Sequence, residues 1–100
     1  MRTLLTARLD TQASNAALKD GRMPTLIEGI MGELKPEAAY FTPLDGRRAF
    51  MMIFDLKESA QLPGVTDPLW RELGAEITVQ PVMNAEDLKK GLAAVTQGRS

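Results

Sequence analysis

The chain has 100 residues, 25% charged and 44% hydrophobic, and its 12 basic and 13 acidic side chains leave a net charge of −1. That is the size of a single domain, residues 1–100. Scattered Lys and Arg with an aromatic content of 5% provide no basic stripe or stacking platform for nucleic acid and no polybasic membrane patch. The chain contains neither cysteine nor histidine. Disulfides, thiolate chemistry, imidazole bases and the common nitrogen- or sulfur-ligated metal sites are thereby excluded. The acidic residues lack calcium-loop spacing, so no metal and no cofactor is expected.

The opening MRTLLTARLD reaches Arg8 and Asp10 after only a short apolar patch. It fails as a signal peptide and as a membrane span, and the expected location is cytoplasmic. A strand is expected over 3–9, with Leu5, Ala7 and Leu9 on one side and Leu4, Thr6 and Arg8 on the other. Asp10 or Thr11 is placed to cap a helix. Over 13–34 the apolar residues fall at helical spacing, with Ala16, Met23, Ile27, Ile30, Met31 and Leu34 on one face. Asp20-Gly21 and Pro24 interrupt that run, which predicts a kink or a break into two pieces. Gly29 and Gly32 are costly in a helix interior and imply close packing on a sheet, or a ligand approaching the backbone.

Pro36 ends the helical run. Strands are expected over 37–42 and 47–56, joined at Asp45-Gly46, a dipeptide that supplies the positive φ angles of a tight hairpin. The stretch 49–54 is apolar at every position, which requires cover on both faces of a strand. Residues 57–66 read as irregular or a helical turn. Asp67-Pro68 reads as an N-cap and first helical residue, and Gly74 as the stop. A fourth strand over 75–82 turns Ile77 and Val79 inward. Asn84 and Asp87 then form a capping box for a last helix striped by Leu88, Leu92 and Val95. Residues 98–100 are expected to fray.

The order β-α-β-β-α-β plus a terminal helix predicts an α+β, ferredoxin-like domain with an antiparallel sheet in the order 4-1-3-2. Pro43 and Pro81 belong on edge strands, which agrees with that order. Helices cover one sheet face. The other carries Leu4, Thr6, Arg8, Thr78 and Gln80, together with one of two sets from the third strand: Phe50, Met52 and Phe54, or Ala49, Met51 and Ile53. A bare apolar centre of this kind predicts a homodimer paired through the sheet face.

The stretches PEAAYFTPLDGRR, IFDL and PVMNAEDLKKGL resemble an actinomycete-type group of small bacterial proteins in the dimeric α+β barrel superfamily. The resemblance spans nearly the whole chain. It implies a homodimer with a pocket between helices and sheet in each subunit. The superfamily includes muconolactone-isomerase-like and antibiotic-biosynthesis-monooxygenase-like proteins, so the resemblance implies no single chemistry.

Candidate ligand-binding residues are Arg8, Asn15, Asp20, Arg22, Tyr40 and Trp70. Trp70 reads as the core anchor of a short helix, or as a stacking surface for a planar ligand. Tyr40 reads as a wet-tipped strand residue, or as a donor to a ligand. Arg8, in a central strand, needs a carboxylate: a rim or intersubunit acid such as Glu76, or a ligand. Asn15, Asp20 and Arg22 read as capping and turn chemistry, or as a polar cluster at a pocket mouth. Asp45, Arg47 and Arg48 read as a solvated turn, and the methionines as core filler. The expected function is a homodimeric, non-catalytic small-molecule-binding or interaction module. The alternative is a cofactorless isomerase, cyclase or monooxygenase acting on an apolar or aromatic metabolite.

Overall fold

The computed structural model describes residues 1–98. Strands β1 (Arg2–Arg8), β2 (Ala38–Leu44), β3 (Arg47–Asp55) and β4 (Glu76–Pro81) form one antiparallel sheet in the order β2-β3-β1-β4. Helices α1 (Thr11–Lys19), α2 (Arg22–Leu34), α3 (Leu62–Leu73) and α4 (Ala85–Thr96) complete an α+β domain consistent with a ferredoxin-like arrangement. Pro43 and Pro81 stand on β2 and β4, the outer strands, whose outward sides have no ladder to lose. Asp45 and Gly46 take φ of 52° and 76°, the paired positive angles of a type I′ hairpin turn between β2 and β3.

The helical run after β1 is broken. Asp10 caps α1 by accepting the Ala13 N–H at 2.9 Å, and Gly21 separates the two helices at φ 80°. Pro24 lies in the first turn of α2, where its missing N–H breaks no helical hydrogen bond. The break resets the helical phase. Ala17, Ile30 and Leu34 are buried, and Met23, Leu26 and Ile27 pack partly against them. Ala16 and Met31, expected on that face, are exposed. Gly29 and Gly32 are not closely packed, since a Cβ on either would meet nothing within 4 Å.

The helix before β4 starts earlier than expected. A 3-10 turn over Ser59–Gln61 leads into α3, and the Gln61 side-chain oxygen accepts the Lys57 and Glu58 N–H groups at 2.8 and 3.2 Å. Pro63 takes the permissive early position, which leaves Pro68 inside the helix. An interior proline costs about 3 kcal/mol; burial of Val65, Leu69 and Leu73 along one stripe offsets it. Asp67 therefore caps nothing and accepts from Arg71 Nε at 2.7 Å, one turn on. Gly74 ends α3 at φ 53°, with its N–H on Trp70 O at 3.1 Å and Ala75 N–H on Leu69 O at 3.2 Å.

Strand register sorts the sheet into two faces. Leu5 and Ala7 of β1 stand opposite Met52 and Phe50 of β3, and all four are buried with Phe54 beneath α1, α2 and α3. This is the core: Leu69, Leu73 and Val65 of α3 and Ile30 and Leu34 of α2 close it from above. The opposite face presents Leu4, Thr6, Met51 and Ile53, all partly exposed, with Ala49 buried among them. Of the two sets open for β3, Ala49, Met51 and Ile53 thus occupy the face away from the helices.

Helix α4 stands apart from this core. Asn84 and Asp87 close the expected capping box, with Asp87 N–H donating to Asn84 Oδ1 at 2.8 Å and Asn84 N–H to Asp87 Oδ2 at 3.2 Å. No residue of α4 is buried. Its stripe of Leu88, Leu92 and Val95 is 46%, 54% and 57% exposed, and the molecule is correspondingly elongated at 56 × 27 × 18 Å. Among the described residues, no helix is long and apolar enough to cross a membrane. Of the residues expected to fray, Arg99 and Ser100 lie outside the described residues.

Candidate functional site

A cavity of about 600 Å³ opens between α1, the start of α2 and the β2–β3 hairpin. Typical small-molecule sites span roughly 300–1,000 Å³ and are mostly apolar with a few placed polar groups. Leu9, Leu18, Met23, Ile27, Phe41 and Phe50 form the apolar wall. Phe50 is buried in the core, while Phe41 and Leu18 are 56% and 48% exposed at the mouth. The two phenyl rings sit 5.9 Å apart at 45°, a tilted pair that fixes one side of the opening. No acidic side chain is among the lining residues.

Two arginines, Arg47 and Arg48, line the cavity. Arg48 is two residues before Phe50 on β3, so strand alternation puts it on the helix side of the sheet. Its Nη1 donates to Ser14 Oγ and to Asn15 Oδ1, both at 2.8 Å. Ser14 is fully buried, and its hydroxyl donates to Thr11 O at 3.2 Å. The guanidinium is thus tied to α1 by two neutral oxygens. Every other arginine among the described residues is paired with a carboxylate; Arg48 is not. Arg47, also at the cavity, is engaged elsewhere, with Nη2 at 2.9 Å from Glu76 Oε2.

The sequence-derived candidates do not converge. Asn15 reaches the cavity, through Arg48. Asp20 and Arg22 form a clasp instead: Arg22 Nε donates to Asp20 at 2.9 Å and Nη1 to Glu72 at 2.8 Å, tying the helix break to α3. The Arg22 hydrogen bond holds the Asp20 carboxyl below the usual range. Tyr40 lies opposite Met51 on the sheet face away from the helices, 62% exposed. Trp70 is not a core anchor: it is 54% exposed on α3 and borders a shallow groove with Leu62, Ile77 and Val79. The early start of α3 turns Val65, Leu69 and Leu73 inward and leaves Trp70 on the flank.

Arg8 finds its carboxylates within the chain. On the face away from the helices its Nη1 meets Asp45 Oδ2 at 3.0 Å and its Nη2 meets Glu76 Oε2 at 3.2 Å. Glu76 is held below its ordinary pKa, first by its hydrogen bond with Arg47 and then by Coulomb attraction to Arg47 and Arg8. The Arg8 Nε is buried without a hydrogen-bond partner. Arg47 and Arg48, read together as a solvated turn, separate by alternation: one joins this ion cluster, the other the cavity.

No family model and no curated protein matches the chain. Among solved structures, a similar one is the de novo designed protein Ferredog-Diesel, with a TM-score of 0.46 and 10% sequence identity over 79% of this chain and 82% of that one.

Proposed function

We propose that the chain is a small-molecule-binding module that works as a homodimer of the dimeric α+β barrel type. The cavity between α1, α2 and the β2–β3 hairpin supports the binding role. Its wall is apolar, its mouth carries an ordered polar group, and its volume suits a compact metabolite. No carboxylate is among the lining residues, and the chain has no imidazole or thiol. Binding, rather than turnover through a general base or a thiolate, is what this lining favours.

The homodimer is supported by two apolar surfaces that the described residues leave partly or fully open. One is the sheet face with Leu4, Met51 and Ile53 at its centre. The other is the Leu88–Leu92–Val95 stripe of α4. Two-fold pairing sheet to sheet, with each α4 laid on the other subunit, removes both from water. Thermal-shift screening against aromatic and aliphatic metabolites tests the binding role, and it fails if no compound raises the melting temperature. Light scattering tests the dimer, which fails if the particle has the 10.9 kDa mass of one chain.

A further inference from the structure

We infer that the cavity takes a monoanion, a carboxylate on an apolar or aromatic body, and that Arg48 is the residue that binds the charge. The inference rests on the binding role proposed above and adds the chemical class of the ligand. Arg48 is the one arginine among the described residues without a carboxylate partner, and it lines an apolar cavity that holds no acid. Ser14 and Asn15 take Nη1, and Nε and Nη2, the side-on pair of the guanidinium, bond to no other described residue. That pair matches the two oxygens of a carboxylate.

The hold on Arg48 is itself informative. Arg48 is exposed, yet its guanidinium is fixed to a fully buried serine and to an asparagine on the next residue of α1. Both tethers are neutral, so they orient the guanidinium without neutralising it. A fixed positive charge beside Phe41, Phe50, Leu18 and Ile27 selects a ligand with one charged end and one apolar end. A dianion is less well matched, because Arg47 is already committed to Glu76.

Calorimetric titration of matched pairs tests this: 2-naphthoate against 2-naphthamide, and decanoate against decanamide. The expected result is that each acid binds at least about tenfold more tightly than its amide, as charge-assisted hydrogen bonds require. Arg48→Gln should abolish that preference, bringing acid and amide to equal affinity. Arg48→Lys, which keeps charge without the fork, should retain part of it. Arg71→Gln removes the same charge from a solvent-facing position on α3, and it should leave the preference intact. Equal binding of acid and amide to the native protein overturns the anion assignment and leaves the binding module standing. Loss of preference in Arg71→Gln as well as in Arg48→Gln overturns the assignment to Arg48. Binding of neither acid overturns the anion assignment, and the metabolite screen then decides the binding module on its own.

Discussion

Replacing Leu88, Leu92 and Val95 together by alanine isolates what α4 is for. These side chains are 46%, 54% and 57% exposed and touch no buried core. Within one chain the triple variant should shift the unfolding free energy by no more than about 0.5 kcal/mol, as for a solvent-facing change. The proposed dimer should respond very differently. Fully burying such a side chain contributes about 1.5–3 kcal/mol, so covering the exposed half of each gives about 1 kcal/mol. Ordering the side chain opposes that by about 0.5 kcal/mol. Six side chains across the two-fold then sum to about 3 kcal/mol, which is about 100-fold in the dimer Kd. Sedimentation equilibrium reads that constant, and urea unfolding of the dissociated chain supplies the control. The reasoning is refuted if the native protein sediments as a single chain, or if the triple variant dissociates at the native concentration. A variant that unfolds outright would show instead that α4 supports its own subunit.

Leu69→Ala, at a fully buried site between α3 and the sheet, should cost about 2–5 kcal/mol by urea unfolding, well beyond the effect of Leu92→Ala on the single chain. Gly29→Ala and Gly32→Ala fill open space on α2 and should each stabilise by about 0.8–1 kcal/mol. Gly74→Ala should destabilise, because φ is +53° and the new Cβ would lie 3.0 Å from Asp10 Cβ; thermal melts decide all three. Acid should weaken the fold. Asp20, Asp55 and Glu76 are each held below their ordinary values of 3.8, 3.8 and 4.5, by Arg22, the N-terminal ammonium and Arg47 respectively. The unfolded chain then binds protons first, so this stability is complete above the ordinary carboxylate range and is lost as pH falls through and below it. Urea midpoints from about pH 6 to about pH 3 should fall, with a shallower fall in Glu76→Gln.

What could be read from the residues was whatever local chemistry decides. Asp20-Gly21 broke the helix because glycine alone tolerates φ near 80° there. Asp45-Gly46 made the hairpin, and Asn84 with Asp87 made the cap. Features set by competition between distant groups were harder to read. Asp67-Pro68 looked like a helix start, yet Pro63 and the Gln61 turn upstream provided a better one, and Trp70 moved from core to flank. The cavity residues shared that fate. Arg48 was hidden in a polar turn, although its spacing from Phe50 already assigned it to the helix side; its tethers on α1 lie thirty-odd residues away and depend on tertiary packing. The need of Arg8 for a carboxylate is legible in the sequence, and Glu76 is one of its partners; that Glu76 comes from the same chain, with Asp45 beside it, is decided only once the sheet has formed.

The position of β1 has a bearing on how the chain is made. It leaves the ribosome before both of its sheet neighbours, β3, which begins at Arg47, and β4, which begins at Glu76. At about 5–20 residues per second, the nascent chain holds that apolar ribbon unpaired for on the order of seconds. Leu5 and Ala7 are sticky during that interval, and the two flanking arginines, Arg2 and Arg8, are what discourages chance strand addition. Those charges therefore act twice: as gatekeepers before the sheet exists, and as ion-pair partners of Glu37, Asp87, Asp45 and Glu76 after it closes.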